Sequence, residues 1–201
     1  MAEIESPYDF RDPALAAAWA EDIRADEAWR APFFTAIAAA LAARPGGPLT
    51  VMELGSGPGH LARAILTAAP DATYTAVDYS PAMHALAAAH LGDLAAHVRF
   101  ETRDFRRPDW TAGLGPFDAA VTMMAAHEVR ASDRLQPLFA QVLAALKPGG
   151  VFLFADFHAT DPDHAGLYLP REAQRAALLA AGFTRADLLL DHAGMALWAA
   201  T

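Results

Sequence analysis

The ten residues from Val51 to His60, VMELGSGPGH, constrain this chain most, because they join an apolar run to a glycine-rich turn that a helix can follow. Gly55, Gly57 and Gly59 alternate, and glycine allows positive φ angles and lets a ligand approach the backbone closely. In an open α/β sheet, ligands bind at the carboxyl ends of the strands. The turn therefore predicts a cofactor site at the end of the first strand.

The spacing of the glycines indicates which cofactor the turn binds. The dinucleotide fingerprint G-x-G-x-x-G would need a third glycine where His60 stands, and a P-loop would need a lysine that the turn lacks. The order E-x-G-x-G-x-G instead resembles motif I of the class I S-adenosylmethionine-dependent methyltransferases. Because a glycine-rich turn can also bind nothing, the rest of the chain has to support this resemblance.

Composition limits the class of protein. With 201 residues, 54% of them hydrophobic, the chain is expected to form a single domain, with a helical cap over residues 1–45 and a Rossmann-like core over 49–201. The absence of cysteine excludes disulfides, thiolate metal sites and cysteine nucleophiles. A net charge of −9 disfavours nucleic acid as a partner. The acidic start and the lack of an apolar run of about 18 residues predict a cytoplasmic protein with no membrane partner.

The order of helical and extended patterns predicts a doubly wound α/β sheet of seven strands with helices on both faces. Helices are predicted over 13–43 with a break near Pro32, and over 58–69, 81–91, 132–146 and 169–181. Strands are predicted over 49–54, 72–77, 97–101, 117–123, 151–156, 184–190 and 195–200. Since only a short turn near His192 separates the last two strands, they should form an antiparallel hairpin on an otherwise parallel sheet.

Residues 49–200 are similar to a class I, seven-stranded, Rossmann-like methyltransferase, because further motifs follow the glycine turn in the family's order. They are AVDYS after the second strand, RDF after the third, MMAAHEV after the fourth and LKPGGV before the fifth. The resemblance implies S-adenosylmethionine as the cofactor. It also implies that this cofactor is contacted by Glu53, Gly55, Ser56, Gly57, Gly59, Asp78, Tyr79, Met83, Asp104, Phe105 and Met123.

Several of these assignments have alternatives. Asp78 lies about 20 residues after the turn, which is the ribose-binding position, while capping of the next helix suits Ser80 better. Met83 would lie against adenine or be an ordinary core residue. Asp104 would accept a hydrogen bond from the adenine amino group or pair with a neighbouring arginine. Glu53 would orient the cofactor's ammonium group directly or through water.

His127 is the candidate catalytic residue, because it follows the fourth strand where the methyl acceptor should lie, and a histidine can take a proton near neutral pH. The alternative is a polar residue that merely caps a helix. Asp156, His158 and His164 could suggest a metal site, but their spacing matches no ligand pattern, so no metal is predicted. A basic cluster (Arg99, Arg103, Arg106 and Arg107) is interpreted as a solvated edge.

The acceptor is predicted to be a small molecule with an oxygen or nitrogen nucleophile. The N-terminal helices and residues 157–168 should cover its pocket, with Tyr8, Phe10, Trp19, Arg24 and Trp29 as candidate lid residues. A homodimer could complete this pocket. Two other functions remain open at this point: a non-catalytic module that binds S-adenosylmethionine or acts through partners, and a nucleotide-dependent oxidoreductase.

Overall fold

A seven-stranded sheet runs through the computed structural model, which describes residues 4–25, 27–159 and 166–201. The strands are β1 (Thr50–Leu54), β2 (Thr73–Asp78), β3 (Val98–Thr102), β4 (Phe117–Met123), β5 (Leu146–Phe157), β6 (Ala186–His192) and β7 (Met195–Ala200). The helices are α1 (Pro13–Ala25), α2 (Glu27–Ala42), α3 (His60–Ala68), α4 (Pro81–Leu91), α5 (Leu135–Ala145) and α6 (Arg171–Ala180). Within the described ranges, no helix combines the length and apolarity needed to cross a bilayer.

The strand order is β3-β2-β1-β4-β5-β7-β6. The first five strands pair in parallel, and β7 pairs antiparallel with both β5 and β6. The predicted fold class is therefore confirmed, including the C-terminal antiparallel hairpin. Strands β2 and β3 are added on one side of β1, and β4 and β5 are added on the other side. Open α/β sheets bind ligands in the crevice at the carboxyl ends of the two strands where the order changes side, which here are β1 and β4.

Apolar side chains fill both faces of the sheet. On one face, α2 and α3 cover β1 and β2 with Phe33, Ile37, Leu41, Leu61, Ile65 and Leu66. On the other face, α5 and α6 cover β4 and β5 with Leu135, Leu138, Phe139, Val142 and Leu178. Parallel strands that are buried on both faces need such continuous apolar runs. The α2 helix is therefore one of the helices that cover the sheet.

The predicted helix break near Pro32 is wrong. The α2 helix continues through Pro32, and the two N-terminal helices are divided between Ala25 and Glu27. Proline has no N–H group to donate to the carbonyl of the residue four positions earlier, which is Ala28. Since Ala28 is exposed, water can bond to that carbonyl, and the helix tolerates the proline.

Other boundaries also differ from the prediction. The α3 helix begins at His60, because Gly59 has a left-handed φ of 84°, so Pro58 lies in the turn before it. Residues 147–150 do not form a separate turn between α5 and β5, but a bulge inside β5 between Leu146 and Val151. Short 3₁₀ turns at Gly92–His97, Ala126–Val129 and Ser132–Arg134 were not predicted.

The turn of the C-terminal hairpin lies where the sequence predicts it, whereas the end of β6 differs from the prediction. The turn consists of Ala193 (φ 50°) and Gly194 (φ 76°), so β6 reaches His192 instead of ending at residue 190. Two-residue hairpin loops with positive φ at both positions match the twist of the flanking strands. Alanine seldom adopts a positive φ, so the sequence indicates the region of the turn but not that β6 reaches His192.

Candidate functional site

A cavity of about 420 Å³ lies at the carboxyl ends of the central strands, between the glycine-rich turn and the N-terminal residues. Most of the predicted site residues line it: Glu53, Gly55, Ser56, Gly57, Asp78, Tyr79, Met83, Phe105, Met123 and His127. Gly59 and Asp104 do not belong to the lining. The tertiary structure therefore brings together residues from four separate segments of the chain, 53–57, 78–83, 105 and 123–127.

The first glycine of the turn allows β1 and β4 to approach each other beside the cavity. A Cβ atom on Gly55 would lie 2.2 Å from the Cβ of Ala125, and Gly55 has a φ of 66°. Only glycine fits both the space and the backbone conformation. The third glycine has a packing role instead, because a Cβ on Gly59 would lie 3.1 Å from that of Ala87 on α4.

Asp78 binds the glycine turn as well as facing the cavity. Its two carboxylate oxygens accept the backbone N–H groups of Gly57 and Ser80, each at 2.9 Å. Burial raises the pKa of Asp78, and these backbone hydrogen bonds partly oppose that rise. Each carboxylate oxygen can accept a second hydrogen bond, so Asp78 can hold the turn and a ligand hydroxyl together.

The cap predicted after Asp78 is present. Ser80 precedes α4, and its Oγ accepts the backbone N–H of Met83 at 3.1 Å. Met83 is 2% exposed and lines the cavity, so both roles considered for it, core residue and cavity wall, describe its position.

Glu53 presents a second carboxylate to the cavity. Tyr74 Oη donates a hydrogen bond to its Oε2 at 2.9 Å, and Glu53 is 3% exposed. Burial raises the pKa of Glu53 well above its usual range, and the nearby charge of Asp78 raises it further. Because the ionised form is costly at this position, a bound cation would be stabilised by Glu53 and would in turn favour its ionisation.

The predicted adenine ligand Asp104 is engaged elsewhere. Arg106 donates to both oxygens of this carboxylate at distances between 2.7 and 3.1 Å, which is the alternative considered for it. The neighbouring Phe105 lines the cavity. The remaining arginines of the basic cluster also contact acids nearby, Arg99 and Arg103 at Glu101, and Arg107 at Asp109.

His127 is held by the buried carboxylate of Asp156. The backbone N–H of His127 donates to Oδ2 at 3.0 Å, and Nδ1 of the ring lies 2.8 Å from Oδ1. Glu128 Oε1 lies 3.5 Å from Nε2 on the other side of the ring. Burial disfavours the charged imidazole, but the two carboxylates outweigh it and raise the pKa of His127 to about 10.

The N-terminal segment, residues 4–12, covers the cavity and is fixed at two places. Phe10 donates its N–H to Tyr79 Oη at 2.9 Å and accepts a hydrogen bond from Ser80 Oγ. Arg130 donates from Nε to the carbonyl of Ile4 at 2.8 Å and from Nη2 to that of Glu5 at 2.6 Å.

The predicted lid residues differ in what they contact. Tyr8, Phe10 and Trp19 line the cavity. Trp29 packs against Phe157, with their ring centroids 6.1 Å apart, and the side chain of Arg24 lies outside the described residues.

Sequence reasoning missed several lining residues. Arg30, Phe34, Met124, Arg130, Leu167 and Tyr168 line the cavity but were not named individually. Met124 stands in the MMAAHEV string, and all the others except Arg130 stand in segments that were predicted to cover the pocket. It also missed the pairing of Asp156 with His127, although Asp156 at the end of a wholly apolar strand was a usable signal. His158 contacts Asp191 at 3.4 Å. The described residues contain no cluster of three metal-ligating side chains, and His164, which the sequence analysis considered as a ligand, lies outside them.

Comparisons with known proteins match this fold and motif order. A family model described as a methyltransferase domain matches residues 51–150. Trans-aconitate 2-methyltransferase from Streptomyces avermitilis is 34% identical over 126 residues, which is 62% of this chain and 45% of that protein.

Solved structures share the architecture at low sequence identity. An O-methyltransferase family protein from Burkholderia thailandensis superimposes with a TM-score of 0.78 at 17% identity, over 94% of this chain and 60% of that one. Human N-acetylserotonin methyltransferase, in complex with S-adenosylmethionine, superimposes with a TM-score of 0.72 at 18% identity. The superposition covers 95% of this chain and 56% of that one. The chain therefore spans about half of the length of these relatives.

The matched family model covers the glycine-rich turn and ends at Gly150, inside β5 and before Asp156. The structures that share the fold include methyltransferases from bacteria and human. These findings agree with the E-x-G-x-G-x-G turn, the acid after β2 and the C-terminal antiparallel hairpin. The chain belongs to the class I S-adenosylmethionine-dependent methyltransferases, and S-adenosylmethionine is the cofactor of that family.

Proposed function

We propose that this chain methylates a hydroxyl group of a small molecule, with His127 as the general base. The observation that carries this proposal is the His127–Asp156 pair, because His127 lines the same cavity as the glycine-rich turn and Asp156 holds its ring. A hydroxyl must lose its proton when it becomes an ether, whereas a tertiary amine or a thioether needs no base. A histidine oriented by a buried carboxylate supplies such a base.

The residues of the cavity fit the proposed cofactor. S-adenosylmethionine, when bound, supplies a methyl group on a positively charged sulfur. Glu53 and Asp78 offer two carboxylates to a cationic ligand that carries ribose hydroxyls and an ammonium group. Among the described residues, the buried Oγ of Ser56 has no hydrogen-bond partner, although it lines the cavity, and a ligand would satisfy it.

In this proposal, Asp156 fixes the orientation and raises the basicity of His127. The carboxylate accepts from Nδ1, so Nε2 is the nitrogen that can take the proton of the acceptor. With a pKa of about 10, the imidazole carries a proton at pH 7 in the ligand-free chain. The neutral, active form becomes more abundant as the pH rises, so the rate of methylation should increase through the alkaline range.

Part of the lining of the cavity is apolar. Phe34, Met124, Phe157, Leu167 and Tyr168 form this part, and they favour an acceptor with an apolar body. The relative from Streptomyces avermitilis is named for trans-aconitate, so trans-aconitate belongs in any acceptor panel for this chain. A homodimer and a cytoplasmic location are further predictions of the sequence, and an acceptor other than nucleic acid is part of the same proposal.

Calorimetric titration with S-adenosylmethionine, S-adenosylhomocysteine and NAD tests the cofactor first. Binding of both adenosyl compounds without NAD is expected, and binding of NAD alone would favour the oxidoreductase. A panel of phenols, alcohols, amines and trans-aconitate, read by transfer of a labelled methyl group, then tests the acceptor. Methylation of trans-aconitate alone would replace the hydroxyl acceptor, and binding without any turnover would favour the non-catalytic module.

The role of His127 is tested with His127→Gln, which keeps a polar side chain of similar size. The rate of hydroxyl methylation should fall by roughly 100-fold or more, with unchanged affinity for S-adenosylmethionine. Full activity in this variant would show that His127 serves only to fill its position.

A further inference from the structure

We infer that Arg30 binds an acidic group of the acceptor, so that the acceptor is a flat, apolar hydroxyl compound that carries a carboxylate. This inference rests on the proposed function, because it names the class of molecule that the same cavity receives. It assigns to Arg30 the role of a specificity-determining residue.

The first observation is the position of Arg30. It belongs to α2, it is 8% exposed, and it lines the cavity. Its guanidinium lies over the ring of Trp29, 5.0 Å from the centroid. A guanidinium remains charged when buried and has five N–H donors in one plane, of which a single bidentate carboxylate uses two. Arg30 can therefore hold a partner within the protein and still present donors to the cavity.

The second observation is an aromatic wall that joins Arg30 to the proposed base. We use this name for Trp29, Phe157 and Tyr168, whose rings contact one another in turn. Ring centroids are 6.1 Å apart between Trp29 and Phe157 and 5.7 Å apart between Phe157 and Tyr168. The ring of Tyr168 lies 5.1 Å from that of His127. Phe157 and Tyr168 line the cavity, whereas Trp29 contacts Arg30 and Phe157 without belonging to the lining. A flat molecule against Phe157 and Tyr168 would therefore have one end at His127 and the other toward Arg30.

The other charges of the cavity place the acid at Arg30 and not elsewhere. The Nε and Nη2 donors of Arg130 are bound to the carbonyls of Ile4 and Glu5, and its Nη1 lies 3.5 Å from Glu128. Glu128 also stands beside His127, where it would repel an anion. The carboxylates of Glu53 and Asp78 lie at the turn and disfavour an anion there.

The test compares matched acids and amides. 4-Hydroxybenzoate, 4-hydroxyphenylacetate and 3-(4-hydroxyphenyl)propionate cover three distances between hydroxyl and acid, and each has a neutral primary amide of the same shape. The wild-type protein should prefer one or more of these acids to its amide by about tenfold or more in kcat/KM, since hydrogen bonds to charged groups are the stronger ones. Arg30→Gln should abolish this preference, because it should lower kcat/KM for the acids by about tenfold more than for their amides.

Two further variants make the result specific. Arg30→Lys retains the charge and should keep part of the preference, so it replaces Arg30→Gln if that variant does not fold. Arg99→Gln removes an exposed guanidinium at the other end of the sheet and should keep the full preference. Affinity for S-adenosylmethionine should be the same in all variants.

Calorimetric binding of the same acids and amides to the protein saturated with S-adenosylhomocysteine separates this inference from the proposed function. Tighter binding of the acids that depends on Arg30, without methylation, would support the acid site and contradict the hydroxyl methylation. Equal affinity for acids and amides, no binding of either, or a preference that survives in Arg30→Gln would overturn the inference.

Discussion

The carboxylate of Asp156 contacts His127 through two different groups, the backbone N–H at 3.0 Å and the ring Nδ1 at 2.8 Å. Asp156 ends the buried part of β5, and His127 lies in the 3₁₀ turn after β4. Since β4 and β5 are paired neighbours, the sheet register itself fixes the distance between the two residues. The orientation of the imidazole is therefore a property of the sheet and not of a mobile loop.

Asp156→Asn should lower the pKa of His127, because it removes the negative charge that outweighs the cost of burial. The rise of the rate with pH reports this pKa, and it should occur at lower pH in the variant. The maximal rate should fall at the same time, since a less basic imidazole is a weaker base. The measurement is the pH dependence of kcat/KM, with NMR titration of the histidine as an independent reading. If the rate rose at the same pH in the variant, His127 would not control the pH dependence.

The same pair predicts how stability depends on pH. The pKa of His127 is raised in the folded chain to about 10 from an ordinary value of 6.5. The folded state therefore holds this proton more tightly than the unfolded state, so the stabilisation is fully present below pH 6.5 and is lost as the pH rises through 10.

Urea unfolding of the wild type and of His127→Gln between pH 6 and pH 10 measures this effect. The wild-type protein should lose unfolding free energy relative to the variant as the pH rises. A difference that is independent of pH would contradict the raised pKa.

Asp78→Ala should weaken binding of S-adenosylmethionine by about 1–3 kcal/mol, because a charged acceptor is lost and the N–H groups of Gly57 and Ser80 lose their partner. Calorimetric titration measures the affinity, and thermal unfolding checks that the turn still folds. Asp109→Ala removes an exposed carboxylate outside the cavity and serves as the control. Equal affinity in a folded Asp78→Ala protein would refute the ribose assignment.

Gly55→Ala should destabilise the fold by about 1–3 kcal/mol and reduce cofactor affinity, since the new Cβ would lie 2.2 Å from the Cβ of Ala125. Ala125→Gly removes that atom, so the double variant should recover most of the loss. Gly113→Ala has a comparable φ of 74° with open space around it, and it measures the backbone strain alone. If Gly55→Ala cost no more than Gly113→Ala, the close approach of the two segments would be wrong.

Most of the fold could be predicted because it depends on local patterns. Strands buried on both faces are continuous apolar runs, such as the one that precedes Glu53, and the helices between them have caps and glycine stops. Two of the boundaries that differ, the helix break near Pro32 and the end of β6, involve residues in conformations that their type disfavours. Pro32 lies inside a helix, and Ala193 has a positive φ.

Residues of the candidate site could be predicted only where they stand within a sequence motif. The glycine turn, Asp78 and His127 stand in strings whose order resembles a known family, and they do line the cavity. Asp104 follows the same motif order, yet its carboxylate pairs with Arg106, because the loop folds back within two residues. A motif places a residue at the end of a strand, but the conformation of the loop decides where its side chain points.

The sequence by itself determined the sheet, the position of the glycine turn and the acids that follow β1 and β2, since these depend on periodicity and turn chemistry along the chain. Only the tertiary structure decided what surrounds them. It placed Asp156 against His127, the aromatic wall between Arg30 and His127, and Arg130 against the N-terminal segment. The physical reason is that these residues lie far apart in the chain. The sheet register and the helix packing bring them together, and no local sequence pattern encodes either.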